Sequence, residues 1–256
     1  MAQKITSLQN PLIKSLIKQL TKHDNLMLIE SFKVIKEIID SKKFDIQHIF
    51  VLQAWYDQNK NWLSSYQDKV IICPPAIIKK ITNIKSINKI VLVIKYHISN
   101  FAINKDINKY LILDQIQNPL NMANILRTAI AFDFFHLFIS KDSVSLFNEK
   151  VIRGNMGSIF KLQINYYDNL LDLISLLQSH GVTIIATCLS KNAHKLHQYQ
   201  KNLKKMALLF GNESKGLPNE AIELSNEQLF IDIKNIDSLN VSSAFAIFLF
   251  WFSLVH

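Results

Sequence analysis

The chain predicts an α/β fold built around a parallel sheet, and three observations carry that expectation. Runs rich in β-branched and aromatic residues alternate with helical segments along almost the whole length, which implies a sheet with both faces covered. The alternation pauses over the polar stretch Ser99 to Asn108 and then restarts. Three late strand candidates run through polar segments into helices, so that Asn, Ser, Gly, Arg and Glu gather at strand ends. Two domains follow: a smaller one over residues 1–98, a linker over 99–108, and a larger one over 109–256.

Taken in order, Asn10 and Pro11 read as a cap and a first-turn proline. They open a helix with Leu12, Leu16 and Leu20 on one side and the helix neighbours Lys14 and Lys18. A strand Met27 to Ile29, a helix Phe32 to Asp40 and a strand Ile46 to Leu52 come next. A polar helix near Tyr56 to Tyr66, a strand Val70 to Cys73, a helix opened by Pro74 and Pro75, and a strand Ile90 to Ile94 complete the first domain. Beyond the linker stand a strand Tyr110 to Asp114, a helix Asn121 to Phe132 and a strand His136 to Ser140. A helix around Phe147 to Arg153, a strand near Lys161 to Ile164 and a helix Asn169 to Ser179 lead to strands Val182 to Leu189 and Met206 to Phe210. A helix near Asn219 to Leu224 and a strand Leu229 to Ile233 precede the C-terminal helix.

Composition narrows the function classes. With 49% hydrophobic and 19% charged residues the chain is globular rather than disordered. Its 29 basic against 20 acidic residues give a net charge of +9, which suits a polyanionic partner. Cys73 and Cys188 make no disulfide framework and the N-terminus lacks the organisation of a secretory signal, so a cytoplasmic protein is expected. The apolar run Ala244 to Val255 falls short of the roughly 18 residues that span a bilayer, so no membrane partner is expected.

The five glycines exclude several chemistries. None precedes Gly154, so a G-x-G-x-x-G dinucleotide turn cannot be written. Gly211 and Gly216 have half the spacing of a P-loop, but Leu217 and Pro218 stand where its Lys and Ser or Thr belong. There is no Gly-x-Ser-x-Gly elbow. Cys188, His194 and His197 lack a fourth partner and read as solvated loop residues, so no metal is expected.

Three segments carry the chemistry. In NPLNMANILRTA (Asn118 to Ala129), Asn121 is placed to cap a helix, and Arg127 leaves it near a packed boundary, as a surface cation or a phosphate grip. In LLFGNESKGL (Leu208 to Leu217), Glu213 sits between two glycines, where a carboxylate can accept backbone amides or orient an arginine. In IDIKNIDSLNVSSA (Ile231 to Ala244), Ser238, Asn240 and Ser242 frame the start of the last helix.

In this order the segments resemble the three signature motifs of the SpoU (TrmH-like) family of RNA 2′-O-ribose methyltransferases, over roughly Lys109 to the C-terminus. Ile5 to Ile38 resembles, more weakly, the substrate-binding extension of many members. The resemblance implies a SPOUT fold with a trefoil knot, preceded by a ribosomal-protein-like αβα domain that holds RNA. It also implies S-adenosylmethionine as cofactor, a homodimer, and structured RNA as substrate, with ribosomal RNA favoured and a transfer RNA ribose methyltransferase kept as an alternative. Carried over by position, Asn121, Arg127, Glu213, Ser238 and Asn240 take the catalytic places. Backbone around Thr187, Leu209, Phe210, Gly211, Ile231, Ile233, Leu239 and Asn240 takes the cofactor, and Arg127, Arg153, Lys14 and Lys18 become RNA contacts. Leu120, Ala123, Ser214 and Lys234 depart from the family's usual glycines and proline, which keeps a non-catalytic RNA-binding or ribosome-assembly protein as the alternative.

Overall fold

The computed structural model describes residues 2–22, 25–82, 88–98, 100–103, 106–200, 203–236 and 238–255. They form two compact units: Met1–His97 with Leu146–Gly157, and Ile98–Ser145 with Ser158–His256.

The first unit holds β1 (Gln3–Lys4), α1 (Pro11–Thr21), β2 (Leu26–Ile29), α2 (Phe32–Ser41), β3 (Asp45–Val51), α3 (Gln53–Asn59), β4 (Val70–Ile72), α4 (Pro75–Thr82) and β5 (Ile90–Lys95). Asn10 caps α1 by accepting the Leu12 amide at 2.9 Å, with Pro11 in the first turn. The sheet runs β1-β4-β3-β5-β2 and is mixed, because β5 is antiparallel to both β2 and β3. That corrects the expectation of a parallel sheet throughout. Ile90 to Ile94 is buried, and a strand covered on both faces has no periodicity that reveals its direction.

The second unit holds β6 (Lys109–Leu113), α5 (Pro119–Ala131), β7 (His136–Ser140), β8 (Gln163–Tyr167), α7 (Leu170–Ser179), β9 (Thr183–Thr187), β10 (His194–Lys195), β11 (Met206–Phe210), α8 (Asn219–Leu224), β12 (Glu227–Phe230) and α9 (Val241–Val255). Its seven strands run β10-β12-β9-β11-β6-β7-β8, and every pairing is parallel. Tyr110 to Leu113 at the centre are fully buried, as a strand between two helical layers must be. The loop expected around His194 contributes the short edge strand β10, which pairs with Leu229 and Phe230.

Two stretches fall outside the domain bounds expected from sequence. The helix α6 (Glu149–Asn155) lies in Leu146–Gly157, the segment that groups with the first unit. The expected linker is partly anchored to the second unit. Phe101 donates its amide to Asn165 Oδ1 at 2.7 Å, accepts from Nδ2 at 2.8 Å, and stacks on Tyr110. An aromatic ring inside a polar stretch was the available signal. Linker residues 99, 104 and 105 lie outside the described residues. No helix among those described is long and apolar enough to cross a membrane.

Candidate active site

The carboxyl ends of β6 and β11 and the start of α9 bring the three motifs together. After β6, Gln115 adopts a left-handed backbone (φ 53°), which a residue with a side chain holds only when its surroundings fix it. Here its amide donates to Ser140 Oγ at 2.8 Å and its carbonyl accepts from Asn212 Nδ2 at 2.8 Å. Asn118, not Asn121, caps α5, accepting the Leu120 amide at 2.9 Å with Pro119 behind it. Asn121 therefore lies in the first turn, and its buried side chain is free for longer-range bonds.

After β11 the chain turns tightly. Asn212 and Gly216 exchange backbone hydrogen bonds at 3.2 and 2.9 Å, and Asn212 Oδ1 accepts the amides of Ser214 and Lys215. A side chain at Gly211 would stand 2.5 Å from the Gly216 carbonyl oxygen, so the turn admits only glycine there. The turn presents Glu213 to the first motif. Its carboxylate accepts the Gln117 amide at 3.2 Å, the Asn118 amide at 3.1 Å and Asn121 Nδ2 at 3.0 Å. Burial pushes the Glu213 carboxyl up, but the bonds from Asn121 and from the amides of Glu213 itself, Asn118 and Gln117 outweigh it and hold it below the ordinary range.

The third motif closes the chain. Asn240 Nδ2 donates to Asn121 Oδ1 at 3.0 Å, while Asn240 Oδ1 accepts the Ser242 amide at 2.9 Å and the Ser242 hydroxyl at 2.7 Å at the head of α9. Asn121 is thus bonded to Glu213 on one side and Asn240 on the other, and residues far apart in sequence share one network.

Arg127 stands apart from this network. It is exposed on α5, about 9 Å along the helix from Asn121 at 1.5 Å per residue. No ion pair or hydrogen bond engages it among the described residues.

Beside the network a cavity of about 450 Å³ opens where β9 and β12 end. Thr187, Ile231, Ile233, Ser238 and Leu239 line it, joined by Cys188, read from sequence as a solvated loop residue, and by Lys215 and Phe248, which sequence reasoning did not single out. Leu209, Phe210, Gly211 and Asn240 are not in its wall. Leu209 is buried in β11 with its carbonyl taken by the Thr187 hydroxyl at 2.9 Å, and the Phe210 ring packs on Phe245 at 4.8 Å. Asp237, within the third motif, lies outside the described residues. Of the expected RNA contacts, Lys14 and Lys18 are exposed on α1 in the first unit. Arg153 is committed elsewhere in that unit: Nε and Nη2 bind Glu30 Oε1 at 3.2 and 3.0 Å, and Nη2 also reaches the Thr82 carbonyl. These bonds make it a latch within the unit. Among the described residues no group of three or more His, Cys, Asp or Glu is placed to hold a metal.

Strand-end loops converging on a cavity in a parallel sheet, with no glycine-rich first turn, define the class. Residues 108–250, more than half of the chain, match the model of the SpoU rRNA Methylase family. The chain belongs to this family and is an RNA methyltransferase of the SPOUT superfamily. It is 29% identical over 212 residues to an uncharacterised tRNA/rRNA methyltransferase of Mycoplasma pneumoniae, covering 82% of this chain and 81% of that one. It is 29% identical over 143 residues to the 23S rRNA (guanosine(2553)-2′-O)-methyltransferase of Bacillus subtilis, spanning 56% of either chain. A tRNA (guanosine(18)-2′-O)-methyltransferase of Thermus thermophilus is 30% identical over 142 residues, 54% of this chain and 71% of that one. Among solved structures, the AdoMet-bound rRNA methyltransferase of Sinorhizobium meliloti has the same fold, with a TM-score of 0.85 at 24% identity over 98% of this chain and 97% of that one.

Proposed function

We propose that this chain transfers the methyl group of S-adenosylmethionine to a ribose 2′-hydroxyl in structured RNA, ribosomal RNA being favoured over transfer RNA. The observation that carries the reading is the bonding of Asn121 to both Glu213 and Asn240. The cavity fits the cofactor on its own terms. Its volume is in the range of small-molecule sites, and its wall is largely apolar around the polar groups of Thr187, Lys215 and Ser238. When bound, the cofactor supplies an electrophilic methyl group on a sulfonium centre.

The protein's share is alignment. Glu213 spends its carboxylate on the first-motif loop, so it holds the substrate-facing turn in place rather than taking up a proton. Arg127, a permanent cation with an unoccupied planar fork, is suited to clamp an RNA phosphate beside the reacting ribose. The departures from the family pattern leave this arrangement standing. Leu120 points outward at 59% exposure, Ala123 is buried inside α5, and Ser214 is not among the residues with positive φ. Their mildness favours a catalyst over a binding-only relative.

The knot, the homodimer and the cytoplasmic location belong to the same reading. Supporting the knot, the chain leaves β12 on the far side of β9, and α9 then packs against the central strand β11 through Phe245 and Phe248. Supporting the dimer, α9 exposes Ile247, Phe250 and Leu254. The test is transfer of a labelled methyl group to total RNA followed by nucleoside analysis. Label in 2′-O-methylnucleosides is the expected result. Label confined to methylated bases, or no binding of S-adenosylmethionine in calorimetry, overturns it.

A further inference from the structure

The first unit carries an aromatic cavity that the reaction above does not use. Phe32 opens α2, Trp55 lies in α3 and Trp62 follows shortly after. The three rings meet edge to face: the Phe32–Trp55, Phe32–Trp62 and Trp55–Trp62 centroids are 6.2, 6.0 and 6.0 Å apart, at interplanar angles of 78°, 67° and 75°. No ring in the trio covers another in parallel, and Phe32 is 51% exposed. Trp62 is fixed by its indole N–H, which donates to Asp40 Oδ1 at 2.9 Å, whereas the Trp55 indole N–H has no partner among the described residues. A cavity of about 370 Å³ opens beside Phe32 and Trp55, bounded also by Glu30, Asn88, Lys89 and Ile90.

The lining selects for one kind of ligand. Two aromatic rings line it and the Trp55 N–H offers a donor, while Asn88 Nδ2 already donates to Glu30 Oε2 at 3.5 Å and Glu30 Oε1 is taken by Arg153. Lys89, exposed in the cavity wall, supplies a cation. Of the acids on the adjoining helices, Asp40 is taken by Trp62 and Asp57 by Gln53 at 2.9 Å, and Glu37 is exposed on α2. A purely apolar peptide would strand the polar groups of this wall, and a bare phosphate would not use the rings. A heterocycle attached to phosphate uses both, as single-stranded nucleic acid does on stacking platforms.

We propose that this cavity takes an unpaired base of the RNA substrate, stacked against Trp55 and Phe32, with the flanking phosphate drawn to Lys89. The proposal rests on the RNA-methyltransferase reading and adds that the substrate is recognised through a single-stranded element.

The test uses the full-length chain with a hairpin RNA that has an unpaired loop and a blunt duplex RNA of matched length. For Trp55→Ala the hairpin affinity should fall by about tenfold, the scale of one lost base stack, while duplex affinity stays within about twofold. Trp55→Phe should restore most of the loss, and S-adenosylmethionine affinity should not change in either variant. If Trp55→Ala does not fold, Phe32→Ala, at an exposed ring, carries the same expectation. With 5-bromouridine in the loop, photocrosslinks should map to the peptide containing Trp55. Equal weakening of both RNAs, no weakening, or crosslinks confined to 158–256 overturns the proposal. Loss of self-association in sedimentation with both RNA affinities intact also overturns it, and reassigns the face to protein contact. A wild-type chain that binds neither RNA overturns the parent reading as well, and is told apart because the other failures leave wild-type RNA binding intact.

Discussion

The two sheets treat their strand ends in opposite ways. In the seven-stranded sheet, the turns after β6 and β11 and the head of α9 are tied by directional bonds, with Glu213, Asn121 and Asn240 satisfying one another. In the five-stranded sheet, the segments that follow β2 and β3 bring together rings touching edge-on, beside the ion pair of Glu30 with Arg153. The first arrangement tolerates little displacement, as alignment for a methyl transfer requires. The second leaves the Phe32 ring half exposed, a surface suited to stacking with an RNA base. Fixed polar geometry serves the chemistry, and exposed aromatic surface serves recognition.

The sharpest way to break this contrast is Arg127→Ala. Arg127 is the exposed cation at the edge of the rigid region and holds nothing in the fold. Methyl transfer should fall by about 10²- to 10³-fold in a single-turnover assay, as when a preorganised charge partner is removed, with melting temperature and cofactor affinity unmoved. A wild-type rate would mean that Arg127 takes no part in the reaction.

Gly211→Ala tests the rigidity itself. The added methyl meets the Gly216 carbonyl oxygen at 2.5 Å, so the turn carrying Glu213 must open. We expect a loss of about 3 kcal/mol in urea unfolding, at the high end for overpacking, together with weaker cofactor binding in calorimetry. Unchanged values for both would show a turn more yielding than its contacts imply.

How much of this was legible in the sequence differs between the regions for the same reason. The polar network was legible because three strand-to-helix turns of this kind recur in order, whereas any one cluster of Asn, Ser and Gly would be an ordinary turn. Even there the cap was misplaced. Asn118 and Pro119 repeat the Asn10 and Pro11 signal that opens α1, and that repeat marks Asn118 rather than Asn121 as the cap. Asn212 and Ser140, which hold Gln115 in its left-handed turn, went unassigned because the bonds that define them come from other elements. The direction of β5, the anchoring of Phe101 and the latch at Arg153 depend on long-range pairing that local periodicity does not encode. The aromatic cavity was hidden too, since Phe32 and Trp62 fall in separate expected helices, Trp55 falls in none, and no local pattern brings the three rings together.

Arg153→Ala should have a smaller effect, confined to stability. It leaves Glu30 without its cation in a half-buried position, and partial exposure of the pair trims the cost to about 1–2 kcal/mol in urea unfolding. RNA affinity should be unaffected when the folded fraction is held constant. A uniform loss of RNA affinity with unchanged stability would return Arg153 to the RNA-contact role expected from sequence.

The finest distinction lies in the pH dependence of two glutamates, one in each unit. Burial raises the Glu30 carboxyl above its ordinary value, and Arg153 offsets only part of that rise. Glu213 moves the other way, because its hydrogen bonds exceed the cost of burial. The linkage signs are therefore opposite. Glu213 contributes stability that is present above the unfolded value of 4.5 and is lost as pH falls through its lowered folded value. Glu30 contributes stability that is present below 4.5 and is lost as pH rises through its raised folded value. In urea unfolding, the gap between wild type and Glu213→Gln should close as the solution is acidified below 4.5. The gap between wild type and Glu30→Gln should drift in favour of the variant as pH rises from 4.5 toward neutrality. Gaps that stay flat with pH in both variants would mean that solvent, rather than the two local environments, sets the charge on these carboxylates, and the contrast between a bonded site and a half-buried latch would lose its electrostatic basis.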